Sequence, residues 1–318
     1  MTAEDSEFAQ WERTFNELDE RAAALKDAGG AEFGSTLVDL ADHVYGLVPD
    51  EDVVELLLQA REVYLTTDPE AAARCAFTIG LLAHDSGDAV LAQDAFAVAR
   101  DSAVDLGDRE LQAEAANNFG TAAIVTGDYQ AAEIALEEST ALYRDLGLDA
   151  EATDARFNLA SVYRLTGQRD RAEYEFKALW LTYPAGSSEA GKCAASLGGL
   201  YMESERYEEA TKEFARAAEV FTAIGAEVDA LECEVGAASV RMMLGELGPA
   251  ISSLKHARQQ FHDIGRPDRT AVCDYSLALC FTLRSEFRAA DEAFEAARVG
   301  LVRTEQHHHL ANLMWNRA

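Results

Sequence analysis

The chain has 318 residues, of which 27 are Lys or Arg and 57 are Asp or Glu, giving a formal net charge of −30, and 48% are apolar. That balance excludes bulk contact with nucleic acid or anionic lipid, which needs clustered cations, and no apolar run approaches the roughly 20 residues of a membrane span. The opening Met1-Thr2-Ala3-Glu4-Asp5 is acidic, unlike the basic-then-apolar pattern of a secretory leader, so the expectation is a soluble, cytoplasmic protein.

In chain order, residues 4–28 read as one helix, with Phe8, Trp11, Phe15 and Leu18 on a single stripe. Gly34 to Thr66 then reads as two helices around a turn at Pro49-Asp50, with Leu40, Ala41, Val53, Leu57 and Ala60 apolar. From residue 71 a repeat sets in. A short glycine turn recurs at Ser86-Gly87-Asp88, Thr126-Gly127-Asp128, Thr166-Gly167-Gln168 and Leu244-Gly245-Glu246, at spacings of 40, 40 and 78. Two further members without glycine fall at Glu205-Arg206 and Ser285-Glu286. Five residues past each turn stands Ala92, Ala132, Ala172, Ala210, Ala250 or Ala290. Four residues further on comes Phe96, Leu136, Phe176, Phe214, Leu254 or Phe294. Seven before each turn is Gly80, Gly120, Ala160, Gly198, Ala238 or Ala278.

Each unit is therefore expected to be two helices. Glycine takes positive φ and closes the first helix. A second glycine, in Leu106-Gly107, Leu146-Gly147, Ile224-Gly225 and Ile264-Gly265, closes the second, with the apolar residue before it expected to pack back on its own helix. Pro184 stops the helix in the third unit. The small columns allow close approach of two helices, and the Phe/Leu column fills the adjacent gap. Leu310, Leu313, Met314 and Trp315 form a stripe near the end. A stack of pairs needs its open apolar ends covered. The expected organisation is thus a capping helix at 1–33, a degenerate pair at 34–70, six repeats at 71–306 and a capping helix at 307–318. The terminal stripes are read as caps, with a self-association surface as the alternative, so the sequence sets no oligomeric state.

The pattern in Asn118-Phe119-Gly120-Thr121-Ala122-Ala123, Gly127-Asp128-Tyr129-Gln130-Ala131-Ala132, Leu197-Gly198-Gly199-Leu200-Tyr201 and Tyr207-Glu208-Glu209-Ala210 resembles the tetratricopeptide repeat (TPR). The resemblance covers about residues 71–306, with a period near 40 instead of 34, and the extra residues are expected to lengthen the second helix. This long form is similar to the repeats of kinesin light chains, Pins-type adaptors and Rap-type bacterial regulators. It departs from the family pattern in carrying a repeat-end proline only at Pro184 and no tryptophan in the first helix. The resemblance implies an all-α, right-handed solenoid of antiparallel helix pairs. It also implies a concave groove lined by first helices that takes an extended peptide or protein partner. Carried onto this sequence, its groove-facing positions include Asn117, Asn118, Thr121, Phe157, Asn158, Ser161, Arg164 and Lys192, with Glu114 and Asp154 beside them. In long-repeat relatives asparagine at the position of Asn118 and Asn158 bonds the ligand backbone. A primary amide suits that task because it both donates and accepts. Bracing of neighbouring helices is the competing role for these amides. Arg164 and Lys192 suit a carboxylate.

No other motif carries chemistry. Cys193, Cys233 and Cys273 recur at 40-residue spacing in register with Cys75. Equivalent atoms in adjacent repeats lie roughly 8–10 Å apart, too far for a disulfide or a shared metal. With Cys280 they are read as small packing residues in a reducing compartment. Gly186 to Lys192 copies the start of a phosphate-binding loop, but Cys193 stands where a magnesium-holding hydroxyl is needed and no strand precedes it. Ser252-Ser253-Leu254-Lys255 lacks the partner motifs of its enzyme class, and His307-His308-His309 reads as an exposed turn. No cofactor or metal is expected. The expectation is a non-enzymatic adaptor binding a peptide or protein; the alternative is a peptide-responsive regulator of Rap type with residues 1–66 as its effector bundle. The acidity fits high-salt adaptation, genome composition or a basic partner.

Overall fold

The computed structural model describes residues 3–46 and 48–303, and among them fifteen helices are the only regular elements. The chain divides into two compact units, residues 1–167 and 168–318. The first unit opens with α1 (Ala3–Leu25). The pairs α2 (Ala31–Val44) with α3 (Asp50–Thr67), α4 (Pro69–Ser86) with α5 (Ala89–Leu106), and α6 (Arg109–Thr126) with α7 (Tyr129–Leu146) follow, and then α8 (Asp149–Leu165). The second unit opens with α9 (Arg169–Thr182). It continues with α10 (Ser188–Glu203) and α11 (Tyr207–Ala223), α12 (Glu227–Met243) and α13 (Leu247–Asp263), and α14 (Pro267–Leu283) and α15 (Phe287–Arg303). Within each unit every helix packs on the next in sequence, and first helices of successive pairs also touch: α6 on α8, α10 on α12, α12 on α14. This is an all-α solenoid architecture of stacked antiparallel pairs. None of the described helices is long and apolar enough to cross a membrane. The expected cap at 307–318, with His307–His309, lies outside the described residues.

Local sequence sets each turn. Gly87, Gly107, Gly127 and Gly147 end their helices at φ between 71° and 85°, the left-handed region that glycine enters without steric cost. Asp68, Asp88, Asp108 and Asp128 then start α4 to α7, each carboxylate accepting from the backbone N–H three residues on, at 3.0 to 3.1 Å. A helix start leaves such N–H groups without intrahelical partners. The columns pack as the spacing predicts. A methyl at Gly80 would come within 2.6 Å of the Phe96 ring, and one at Gly120 within 2.5 Å of Leu136. In the second unit Phe214 lies between Gly198 and Gly236, at 2.9 and 2.6 Å from the corresponding positions.

Two expectations are corrected. The extra residues of the long repeat do not fall on the second helix alone, since α4, α5, α6 and α7 have 18 residues each. Leu106, Leu146, Ile224 and Ile264 do not pack back on their helices; they stay 37–46% exposed. In this closure the residue after the glycine makes the apolar contact, and Leu148 packs against the cluster of Ala113, Tyr143, Ala152 and Ala155. At the chain start, Trp11, Phe15 and Leu18 cover Leu40, Val44, Val53 and Leu57. The Trp11 indole N–H donates to the His43 carbonyl at 3.2 Å and stacks on the His43 ring.

Candidate functional site

The groove positions concentrate on α6 and α8, both in the first unit. Their small columns, Ala113, Ala115 and Ala116 on α6 and Ala152, Ala155 and Ala160 on α8, are buried. The opposite edges of the same helices stay open. Asn117, Asn118, Thr121, Phe157, Asn158, Ser161 and Arg164 are all half-buried, the exposure of side chains lining a shallow surface.

Their hydrogen bonds sort them. Asn158 Nδ2 donates to Asn117 Oδ1 at 3.1 Å, joining α8 to α6. Asn118 Nδ2 donates along its own helix to the Glu114 carbonyl at 3.0 Å. Thr121 Oγ1 donates to the Asn118 carbonyl at 2.8 Å, and Ser161 Oγ to the Phe157 carbonyl at 3.1 Å. The amides that meet across the two helices are therefore Asn117 and Asn158, 41 residues apart. That bond uses one of the pair's amide hydrogens and one carbonyl lone pair; the rest remain for a ligand backbone. Lys192 is exposed on α10, in the second unit.

An acidic strip continues this surface toward the starts of α6 and α8. Glu114 lies one turn before Asn117 and Asn118, and Asp154 one turn before Phe157 and Asn158; Glu110 and Glu151 stand a turn further back. Burial pushes the Glu114 carboxyl above its ordinary range, and Glu110 and Asp108 add to the effect. Tyr143 of α7 sits under the strip, its ring packed among Ala113, Ala152 and Ala155. Sequence reading of first helices alone passes over Tyr143, Glu110 and Glu151. The available signal was a phenol in a column that holds Ala103, Tyr183, Phe221, Phe261 and Leu301 in the other repeats.

The strongest charged pairs lie elsewhere and are paired within the chain. In the second unit Glu173 accepts from Lys177 at 2.6 Å, Tyr201 at 3.0 Å and Arg206. Burial raises the Glu173 carboxyl, but those bonds outweigh it and bring it down to about 2. An open cleft of about 990 Å³ is lined by Arg258 and Arg266, and these two are paired to Asp274 and Asp268. Cys75, Cys193, Cys233, Cys273 and Cys280 are free and buried, as packing residues are. Among the described residues no cluster of His, Cys, Asp and Glu has the arrangement of a metal site.

No protein-family model matches the chain, and no curated protein matches it. Solved structures do. Apo RapI aligns over 86% of this chain and 99% of its own at 8% identity and a TM-score of 0.70. A Podosopora anserina kinesin light chain of nearly identical TPR-like repeats aligns over 61% and 96% at 16% identity and a TM-score of 0.50. The fold is that of the TPR-like repeat proteins. NprR in complex with its cognate peptide NprX shares the TPR-like architecture over 97% of this chain and 93% of its own, at 13% identity and a TM-score of 0.58.

Proposed function

We propose that this TPR-like chain is a non-enzymatic interaction protein that holds an extended peptide, or an extended segment of a protein, on the α6–α8 face. The observation that carries the reading is the Asn158–Asn117 amide pair bridging two adjacent first helices. A pair so placed offers a donor and an acceptor to a backbone without selecting side chains. Thr121, Ser161, Phe157 and Arg164 flank it, Arg164 being suited to a carboxylate, and Asn118 is assigned a supporting contact; Lys192, on α10 of the second unit, is proposed as a separate peptide contact. The structural likeness to NprR bound to a peptide supports this use of the fold. Five free, buried cysteines support a reducing, cytoplasmic setting. The division into a cap at 1–33, a degenerate pair at 34–70, six repeats at 71–306 and a cap at 307–318 belongs to the same proposal.

The test uses the full chain and a fluorescent random octapeptide library. Asn117→Ala with Asn158→Ala is expected to weaken retention about tenfold, the effect of roughly 1.4 kcal/mol, with an unchanged helical circular dichroism spectrum. Unchanged retention overturns the reading. A second reading, the peptide-responsive regulator with residues 1–66 as effector bundle, is favoured by the alignment to RapI over nearly all of that protein. Deleting residues 1–33 separates the two: an adaptor keeps all its function, whereas a regulator keeps the peptide and loses its output.

A further inference from the structure

The acidic strip beside the amide pair has a composition that structural packing does not require. Tyr143 is 6% exposed, with its ring held between Ala113 of α6 and Ala152 and Ala155 of α8. An apolar ring would fill that space equally well, as Phe221 and Phe261 do in the second unit. The phenol adds a hydroxyl that makes no hydrogen bond among the described residues, yet it is not an enclosed orphan. Its residue packs between α6 and α8, the helices that carry the neighbouring carboxylates. Four carboxylates act on it there: Glu114, Glu151, Glu110 and Asp154, after burial itself, push the phenol up to about 12.

Among the described residues, no cation pairs with Glu110, Glu114 or Glu151. The cation at the start of α6, Arg109, is engaged by Asp145 at 2.8 Å. Three carboxylates without a cation partner thus act on one phenol at the end of the amide surface. Burial, and then the charges of Glu110 and Asp108, hold the Glu114 carboxyl above its ordinary range; both costs are relieved by a cation arriving from outside. The carboxylates do not have the arrangement of a metal site. A planar guanidinium or an ammonium on a flexible stem can reach several of them at once, and its alkyl stem can lie over the ring.

We infer that Glu110, Glu114, Glu151 and the Tyr143 hydroxyl form a subsite for a basic side chain of the bound peptide, one to two helical turns from the amides that hold its backbone. This rests on the peptide-binding reading of the α6–α8 face. It assigns the ligand a class, a peptide with arginine or lysine at one fixed position, and it gives the chain's acidity a local use.

The experiment compares random octapeptide libraries with one position fixed as arginine, lysine, citrulline or glutamate, scanned along the peptide against the full-length protein. At one position the arginine and lysine libraries are expected to be retained about tenfold better than citrulline at low salt, and glutamate least. The advantage shrinks as salt rises. Glu110→Gln with Glu114→Gln and Glu151→Gln is expected to abolish the preference while citrulline peptides still bind through Asn117 and Asn158. Tyr143→Phe reduces the preference without unfolding the chain. A preference that survives the triple variant overturns the subsite. So does citrulline binding as well as arginine at every position, and in that case binding lost in the Asn117→Ala/Asn158→Ala variant leaves the peptide reading standing. If no library is retained, both readings fall together.

Discussion

Gly120 and Gly248 are both helical glycines, and a methyl group added to each meets opposite surroundings. At Gly120 it would lie 2.5 Å from Leu136 Cγ, a contact no real methyl makes, in the closest crossing of α6 and α7. Leu136 is fully buried, so it has nowhere to retreat, and either it leaves its rotamer or α6 shifts. Overpacking of this kind costs roughly 1–3 kcal/mol. At Gly248, in the first turn of α13, nothing lies within 4 Å, and the residue is exposed. There alanine gains about 0.5 kcal/mol from helix propensity and a narrower unfolded ensemble, but its Cβ meets the ring of the following Pro249, which disfavours helical backbone at the residue before it, so the two effects offset. Urea unfolding is expected to show a lowered midpoint for Gly120→Ala and a nearly unchanged one for Gly248→Ala, both at constant m-value. A stabilised Gly120→Ala would sink the close-crossing account of the small column.

A helix in this protein is specified mostly by how it starts and stops. Helices α4 to α7 each begin on an aspartate whose carboxylate takes up a first-turn N–H. Helix α12 begins on Ala226, at φ −81° and ψ 74°, with no side-chain cap. Asp108 caps α6 from nearly the same backbone, φ −81° and ψ 89°. Ala226→Asp therefore needs no rearrangement, and a gained cap is worth about 1 kcal/mol. The expected result is a higher thermal midpoint that falls back when the new carboxylate is protonated; no gain at neutral pH counts against capping as the determinant here. These starts were legible as Gly-Asp pairs at 87–88, 107–108 and 127–128, as was the spacing that sets Gly80 on Phe96 and Gly120 on Leu136. The site was less legible. A 40-residue register puts Asn118 opposite Asn158, but the neighbouring helices meet with a one-residue offset, so Asn117 makes the contact. Tyr143 was hidden for another reason: it belongs to a second helix and packs between α6 and α8, which no count along the first helices detects.

At the scale of the whole chain the same terminal devices are unevenly shared. The first unit has side-chain caps at Asp68, Asp88, Asp108 and Asp128. In the second unit Ser187 alone, among the described residues, caps a helix with its side chain. Two turns there, moreover, place Glu205 and Ser285 at φ 59° and 60°, a left-handed conformation costing a side-chain-bearing residue roughly 1–2 kcal/mol. Stacked pairs depend on their nearest neighbours, so such differences appear as local opening rather than as one uniform transition. The cysteines report this opening without added labels. Cys75 lies in the first unit, and Cys193, Cys233, Cys273 and Cys280 lie in the second, all buried. Burial pushes Cys193, Cys233 and Cys273 up to about 12, so the thiolate that reacts is scarce until the helices part. Under pulsed alkylation in rising urea, read by mass spectrometry, the second unit's cysteines are expected to become reactive at lower urea than Cys75. Substituting Glu205→Gly and Ser285→Gly should raise their threshold and leave that of Cys75 in place. If Cys75 reacts first, or if all five thiols appear at one urea concentration in both proteins, packing between neighbouring pairs outweighs capping in setting the order of opening.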